Sequence, residues 1–234
     1  MENQSFWKAR TALVCYITLV AGILIGSIVV AVFLLGMGLD FQELTFPSAL
    51  ISIPINEGII LGITLLFAKQ KGAGLRELGL KKPSLRTLVI VSFGAVFLLL
   101  LVGSISVVEE VVFGLDPNTE LLVDAILPKD SFQLVALIGI SLALVGPAEE
   151  LAFRGFIQRG FENSFGKTMG LLIASILFGL LHGLNSFRSI IPVTVVSLFL
   201  GYVWQKTDGN TAASAWMHGL YDAMAITLAY FAYA

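Results

Sequence analysis

Residues 85–108 read LRTLVIVSFGAVFLLLLVGSISVV and carry a single charged side chain, Arg86. A helix needs about 20 apolar residues to cross the hydrocarbon core of a bilayer, so this run is long enough. Backbone groups have no water to bond to inside a bilayer, and a helix satisfies them within one segment. The stretch therefore predicts a transmembrane helix and, with it, a helical membrane protein.

The composition of the whole chain agrees with this stretch. Of the 234 residues, 57% are hydrophobic and 13% are charged, and the mean hydropathy is +0.91. Soluble domains are about a quarter charged, so this chain has too few charges to cover a surface that faces water. A net charge of -2 and scattered basic residues argue against nucleic acid as a partner. The lone Cys15 cannot form an internal disulfide, and no Cys/His spacing predicts a zinc finger.

Apolar runs recur along the chain to its last residues, and each has about 17 residues or more. We therefore predict one integral-membrane domain over residues 1–234, an all-α polytopic transmembrane bundle of about seven spans, within a range of six to eight. Its motif-bearing core is expected at about 132–233. The predicted spans are 11–39, 47–68, 85–108, 132–159, 168–184, 189–205 and 211–233.

Lysine and arginine in the short loops predict the orientation, because they collect on the cytoplasmic side of membrane proteins. Of the fourteen basic residues, twelve fall on one side of the seven spans, and Lys129 and Arg188 fall on the other. We therefore expect a cytoplasmic amino terminus and an external carboxyl terminus, in a prokaryotic plasma membrane. Segment 109–130 is the sizeable external loop, and its acidic side chains keep it hydrated.

Ionisable side chains within apolar spans cost several kcal/mol unless they are paired or hydrated, so they are the guide to function. The fourth to seventh predicted spans hold nearly all of them. The set is Glu57, Glu149, Glu150, Arg154, His182, His218 and Asp222. Glu57, in the second span, is interpreted as a structural or cavity-lining carboxylate.

The fourth span pairs Glu150 with Arg154, because residues four apart nearly align on a helix and opposite charges then attract. Successive residues turn by about 100°, so Glu149 points elsewhere and its own helix leaves it unpaired. If Glu150 and Arg154 take the more polar edge, Glu149 points into the bundle. The alternative is that all three merely mark a frayed cytoplasmic helix end.

The fifth and seventh spans carry both histidines of the chain. Phe178 and His182 lie four apart on one face, with Asn185 three residues further on. His218 and Asp222 are also four apart, and an acid one turn away can fix the orientation and tautomer of an imidazole. Taken singly, each pair is also consistent with an ordinary polar contact between two helices.

Depth brings three of these side chains together. At about 1.5 Å per residue, Glu149, His182 and His218 lie at depths from which they can meet in one layer. A buried carboxylate can take a proton from water, and an imidazole can hold that water or donate to an oxyanion. There is no GxSxG, and Cys15 is on a remote helix, so a covalent intermediate is not expected. HExxH is also absent, but the three residues can still ligate zinc, and residue types alone leave both uses open.

Three segments resemble the motifs of one family. EELAFRG at 149–155 resembles EExxxR, FGLLH at 178–182 resembles FxxxH, and HGLYD at 218–222 resembles HxxxN/D. These are the motifs of the CAAX prenyl protease and bacteriocin-processing (CPBP/Abi) family of intramembrane endopeptidases, and they occur here in the family's order. The resemblance covers 147–222, and segment 75–82 resembles the basic loop that precedes the core in many members.

The resemblance implies cleavage of peptide bonds by water activated within the membrane, with access from the cytosol. Glu149 and His182 would activate the water, and His218 and Asp222 would stabilise the oxyanion. The supporting residues would be Glu150, Arg154, Phe178 and Asn185.

The family's mechanism resembles glutamate-dependent hydrolysis without an obligatory metal. Zinc, if bound, would be held by Glu149, His182 and His218. Asp222 stands where the prenyl-protease branch usually has asparagine. An ionised aspartate cannot donate to an oxyanion, so Asp222 is either protonated or orients His218.

The implied partners are the lipid bilayer and a peptide or lipidated-protein substrate, prenylated or not. Two other functions remain open at this stage. One is a proton- or ion-coupled transporter, in which the intramembrane acids and histidines form a relay, although the chain has no detectable inverted repeat. The other is a non-catalytic scaffold or immunity protein that binds peptides in a groove between helices.

Overall fold

The computed structural model describes residues 7–36, 38, 46–114 and 127–233, and in these ranges the chain forms helices and turns without a β-strand. This part of the chain contains seven long helices, with a 3₁₀ turn at Phe187–Ser189 before the sixth. The helices are α1 (Ala9–Gly36), α2 (Phe46–Gln70), α3 (Leu85–Phe113), α4 (Ser131–Phe165), α5 (Lys167–His182), α6 (Ile190–Lys206) and α7 (Thr211–Tyr233). The predicted all-α bundle is confirmed.

Among the described residues, five helices are long and apolar enough to cross a membrane, namely α1, α2, α3, α4 and α6 with its preceding turn. Helix α5 has 16 residues and extends only about 24 Å, against a hydrocarbon core of about 30 Å. Helix α7 has 23 residues, but His218 and Asp222 lower its hydropathy. The chain is thus an integral membrane protein whose seven helices match the seven predicted spans, two of them with a weaker membrane signal.

Two helix ends differ from the prediction. Helix α3 continues to Phe113, so Glu109 and Glu110 are helical and not part of a loop. No glycine or proline interrupts residues 104–113, and Gly114, with a φ of 77°, ends the helix. Helix α4 likewise runs past the predicted end at 159, as far as Phe165, and Gly166 caps it. The rest of the predicted external loop, 115–126, and the predicted end of the first span at 39 lie outside the described residues.

Helix α4 contains two π-helical segments, Ser141–Val145 and Leu151–Gln158, on either side of Gly146–Glu150. Pro147 has no N–H to donate and its ring crowds the preceding turn, so a regular hydrogen-bond ladder cannot pass through it. Accordingly the N–H of Gly146 bonds to the carbonyl of Ser141, five residues back. Such wide turns are frequent at functional sites, and here they flank the two glutamates.

Two glycines let α4 and α7 cross closely beside those glutamates. A Cβ atom added to Gly146 would lie 2.6 Å from the carbonyl oxygen of Ala215, and one added to Gly219 would lie 2.7 Å from that of Ser141. Small residues permit this approach of helix backbones within a membrane. The crossing sets His218, next to Gly219, against the start of the second π-helical segment.

The substitution Gly219→Ala is expected to destabilise the protein by about 1–3 kcal/mol, because the new methyl group must push two backbones apart. Gly103→Ala is the matched control, since a Cβ there meets nothing within 4 Å and alanine favours a helix by about 0.5–1 kcal/mol. Thermal unfolding in detergent can be followed with a thiol-reactive dye, because the single Cys15 is buried. Equal melting temperatures for the two variants would contradict the close crossing.

An aromatic core fixes α1 and α5 against α4. The indole of Trp7 stacks on Phe156 with ring centroids 4.5 Å apart, and its Nε1–H donates to the Phe156 carbonyl at 2.8 Å. On the other side, Phe153 meets Phe178 edge to face at 4.6 Å. Such aromatic pairs contribute about 0.5–1.5 kcal/mol each beyond the area that they bury. The core therefore holds the motif-bearing turns of α4 and α5 in a fixed relation.

The loop between α2 and α3 fixes the start of α7. The Oγ1 of Thr211 donates to the carbonyl of Leu78 at 2.6 Å, and the Thr211 N–H donates to that of Gly79 at 2.8 Å. Gly79 has a φ of 89° and is in tight contact with Gly209, so another residue would be strained there. The loop thereby anchors the end of α7 that lies two turns from His218.

Candidate active site

The ion pair predicted within α4 is present, and it is buried. The Nε of Arg154 lies 3.1 Å from Oε2 of Glu150, and both side chains are fully buried. The Arg154 guanidinium also stands over the ring of Phe178, 5.0 Å from its centroid. The alternative of a frayed helix end is wrong, and the pair does not take a more polar edge, because the aromatic core and α7 cover this turn.

His218 joins α7 to α4 through both of its ring nitrogens. Its Nδ1 hydrogen-bonds to Oε1 of Glu150 at 3.1 Å. Its Nε2 faces Oε2 of Glu149 at 3.7 Å and Oδ2 of Asp222 at 3.6 Å. The side chain is buried, and an acid stands at each nitrogen.

These distances change the expected partners of His218. From the sequence, an orienting acid was expected one turn away at Asp222. The direct hydrogen bond of His218 is instead made with Glu150, whose carboxylate is the partner of Nδ1. Asp222 lies beyond hydrogen-bonding distance of Nε2 and is a quarter exposed. Spacing along one helix could not reveal this contact, because it joins residues 68 positions apart.

His182 reaches the same region by way of Phe178. Its Nδ1 hydrogen-bonds to the Phe178 carbonyl at 3.0 Å, and the two ring centroids are 4.6 Å apart. The Phe178 ring is also 6.0 Å from that of His218, and His182 interacts electrostatically with Asp222. Because a donating Nδ1–H leaves Nε2 as an acceptor, His182 can hold a water by that nitrogen.

Asn185 is not brought to this cluster. Helix α5 ends at His182, and Asn185 lies exposed in the following turn, where its N–H donates to the His182 carbonyl at 3.0 Å. The hydroxyl of Ser189 donates a second hydrogen bond to that same carbonyl at 2.9 Å. The predicted alignment required the helix to continue to residue 184, and it stops earlier because this turn satisfies its last carbonyl.

Glu57 is brought to the cluster from α2. Only 7% of the residue is exposed, and it interacts electrostatically with Glu149, His218 and Asp222. The sequence singles out Glu57 because it is a carboxylate inside an apolar span. Its position along that span does not predict which neighbouring helix the side chain faces. Buried Oε2 atoms of Glu57 and Glu149 both lack a hydrogen-bond partner. Two acceptor atoms are thus present at the site without a donor.

The candidate zinc ligands Glu149, His182 and His218 are not grouped as a metal site in the described part of the chain. Within the described ranges, no group of three His, Cys, Asp or Glu side chains is arranged to hold a metal ion. Among the described residues, the arrangement of Glu149, His182 and His218 therefore does not fit a zinc site.

The chemistry available here is that of an acid beside an imidazole. The gap between Nε2 of His218 and Glu149 is 3.7 Å, which is too long for a direct hydrogen bond. Both groups are therefore available to a third molecule, such as water or a carbonyl oxygen. The site can move a proton at the carboxylate and stabilise negative charge at the imidazole.

Residues 131–224 match the Rce1-like family model, which is described as type II CAAX prenyl endopeptidase Rce1-like. The matched segment begins with α4 and ends two residues after Asp222, so it contains all three motifs. This match confirms the family resemblance predicted from those motifs. Comparison with the curated proteins and with the solved structures gave no match.

Proposed function

We propose, from the Rce1-like match of residues 131–224, that this protein is an intramembrane endopeptidase that hydrolyses peptide bonds of membrane-associated or lipidated substrates. The family points to a peptidase, and the apolar helices point to a membrane-embedded one. The observation that carries the proposal is the position of His218, whose Nε2 lies 3.7 Å from the unpartnered Oε2 of Glu149.

Hydrolysis begins with a water molecule held by Glu149 and His182. The buried Oε2 of Glu149 accepts the water proton as the oxygen attacks the carbonyl carbon of the scissile bond. The remaining O–H of the water donates a hydrogen bond to Nε2 of His182, which is free to accept because its Nδ1 donates to the Phe178 carbonyl. The two residues thereby aim the lone pair of the water at the substrate.

The oxyanion that forms is stabilised by His218. With Nδ1 bonded to Glu150, the imidazolium presents its Nε2–H to the negatively charged oxygen. Asp222, 3.6 Å from the same nitrogen, attracts the imidazolium electrostatically without a direct hydrogen bond. Glu150 is itself held by Arg154, so the orientation of His218 depends on a pair that never touches the substrate.

The intermediate then collapses. The carbonyl re-forms, the C–N bond breaks, and Glu149 returns its proton to the leaving amine, so that water has been added across the peptide bond. Neither a covalent intermediate nor a metal ion is required in this scheme. A lipid attached to the substrate would remain in the bilayer while the peptide enters from the cytosol.

We further propose the orientation given by the basic loops, with the amino terminus in the cytosol and the carboxyl terminus outside. The basic end of α2, at Lys69, and the loop that follows it then face the cytosol. Glu57 lies twelve residues before Lys69, about 18 Å from that end, so the site is reached from the cytosolic side without crossing the whole bilayer.

Purified protein in liposomes, incubated with a peptide library, is expected to cut defined bonds, and mass spectrometry identifies the products. Chelators such as EDTA and 1,10-phenanthroline should leave the rate unchanged, because no step uses a metal. Activity that disappears with a chelator and returns with zinc would overturn the metal-free chemistry. Proton flux without any cleavage product, abolished by Glu149→Gln, would favour a transporter instead.

A further inference from the structure

Glu57 is the acid of this cluster that lacks a cationic partner. Glu150 is paired with Arg154 at 3.1 Å and bonded to His218. Glu149 and Asp222 each face Nε2 of His218 within 4 Å. Among the described side chains no cation lies within that distance of Glu57, and its Oε2 is buried without a hydrogen-bond partner.

Charged groups of two other helices interact with Glu57, namely Glu149 of α4 and His218 and Asp222 of α7. The same cluster also contains Glu150 and Arg154 of α4 and His182 of α5. Four acids therefore stand against one arginine and two histidines. A buried carboxylate without a counter-charge is costly in a membrane and indicates a functional site.

We infer that Glu57 is a substrate-binding residue whose carboxylate takes the ammonium or guanidinium group of a lysine or arginine beside the scissile bond. The inference rests on the proposed function and names the substrate class that it cuts. A cation satisfies the unpartnered oxygen and also offsets the excess of acids, whereas a neutral N–H does only the first.

The neighbours of Glu57 connect this proposed binding role to the scissile bond. Glu57 interacts with Glu149 and His218, the groups proposed to act on the scissile bond, so a bound cation would lie next to that bond. Membrane-anchored proteins carry lysine and arginine on their cytoplasmic flanks. A juxtamembrane segment entering from the cytosol therefore has the required side chain. Glu57 also lies outside the matched segment 131–224, so α2 adds this selectivity to the family's core.

The experiment starts from a peptide that the wild-type protein cleaves. Positions within four residues of the cut are replaced one at a time by lysine or by norleucine, which has a chain of similar length without the charge. At one position the wild type is expected to prefer lysine by about tenfold or more in kcat/KM, since one charge-assisted hydrogen bond supports a preference of this order. In Glu57→Gln the lysine-to-norleucine ratio is expected to fall to about one, chiefly through a higher KM for the lysine peptide.

Thr64→Val is the matched control, because Thr64 is buried on the same helix and its hydroxyl donates to the Ile60 carbonyl at 2.7 Å. This variant should keep the wild-type ratio. A second measurement needs no change to Glu57: glutamate at the same peptide position should lower kcat/KM of the wild type below that of norleucine.

Two results would overturn the inference alone: a wild type that cuts peptides without preferring lysine anywhere, or a preference that persists in Glu57→Gln. Either leaves the proposed function standing, because cleavage itself has been observed. A wild type that cuts no peptide of the library overturns the proposed function and this inference with it.

Discussion

Glu149→Gln is expected to lower the rate of peptide cleavage by about 10²- to 10⁴-fold, the usual contribution of a general base. Glutamine keeps the shape of the side chain but cannot accept the proton of the attacking water. His182→Ala should produce a loss of similar order, since the water loses the nitrogen that aims it. Single-turnover cleavage of the best peptide measures both effects without interference from product release.

The control for Glu149→Gln is Glu110→Gln, the same chemical change at an exposed position in the last turn of α3. It should cleave at the wild-type rate. Folding of all variants is checked by the accessibility of Cys15 to a thiol dye, because this side chain is buried in the folded protein. A folded Glu149→Gln or His182→Ala with wild-type turnover would remove that residue from the mechanism.

The fold follows from the sequence because hydrophobic length is a local property. Each apolar run is long enough to be helical in a bilayer whatever its neighbours do, as the 29 residues of α3 illustrate. The spacing of Glu150 and Arg154 is equally local, and the ion pair is present. Local spacing could not predict the path of α4 near Pro147, where the backbone hydrogen bonds widen into π-helical turns.

The contacts between helices were predicted less completely than the residues that make them. Depth along each span indicated that Glu149 and His218 can meet, and their side chains lie 3.7 Å apart. The hydrogen bond that Nδ1 of His218 donates to Glu150 depends on how α4 and α7 rotate about the Gly146 and Gly219 crossing, which residue type does not specify. For the same reason the sequence indicates only a structural or cavity-lining role for Glu57, although this residue interacts with the groups of the site.

Arg154→Met is expected to destabilise the protein by about 3–5 kcal/mol, the usual cost of leaving one member of a buried ion pair alone. Glu150 would then keep His218 and the hydroxyl of Ser214 as partners but lose its arginine, while its carboxylate remains fully buried. The melting temperature, followed by the reactivity of Cys15, should fall accordingly. A melting temperature unchanged by Arg154→Met would mean that the pair contributes nothing to the folded state.

The double variant Glu150→Leu/Arg154→Met separates folding from catalysis. Replacing both charges with apolar side chains of similar size removes the buried charge, so much of the lost stability should return. Cleavage should remain at least about tenfold below the wild-type rate, because Nδ1 of His218 has lost the acceptor that holds its ring. A stable double variant with wild-type kcat/KM would show that the pair serves only the fold. Restored stability with lost turnover would assign to Glu150 the orientation of the imidazole that meets the oxyanion.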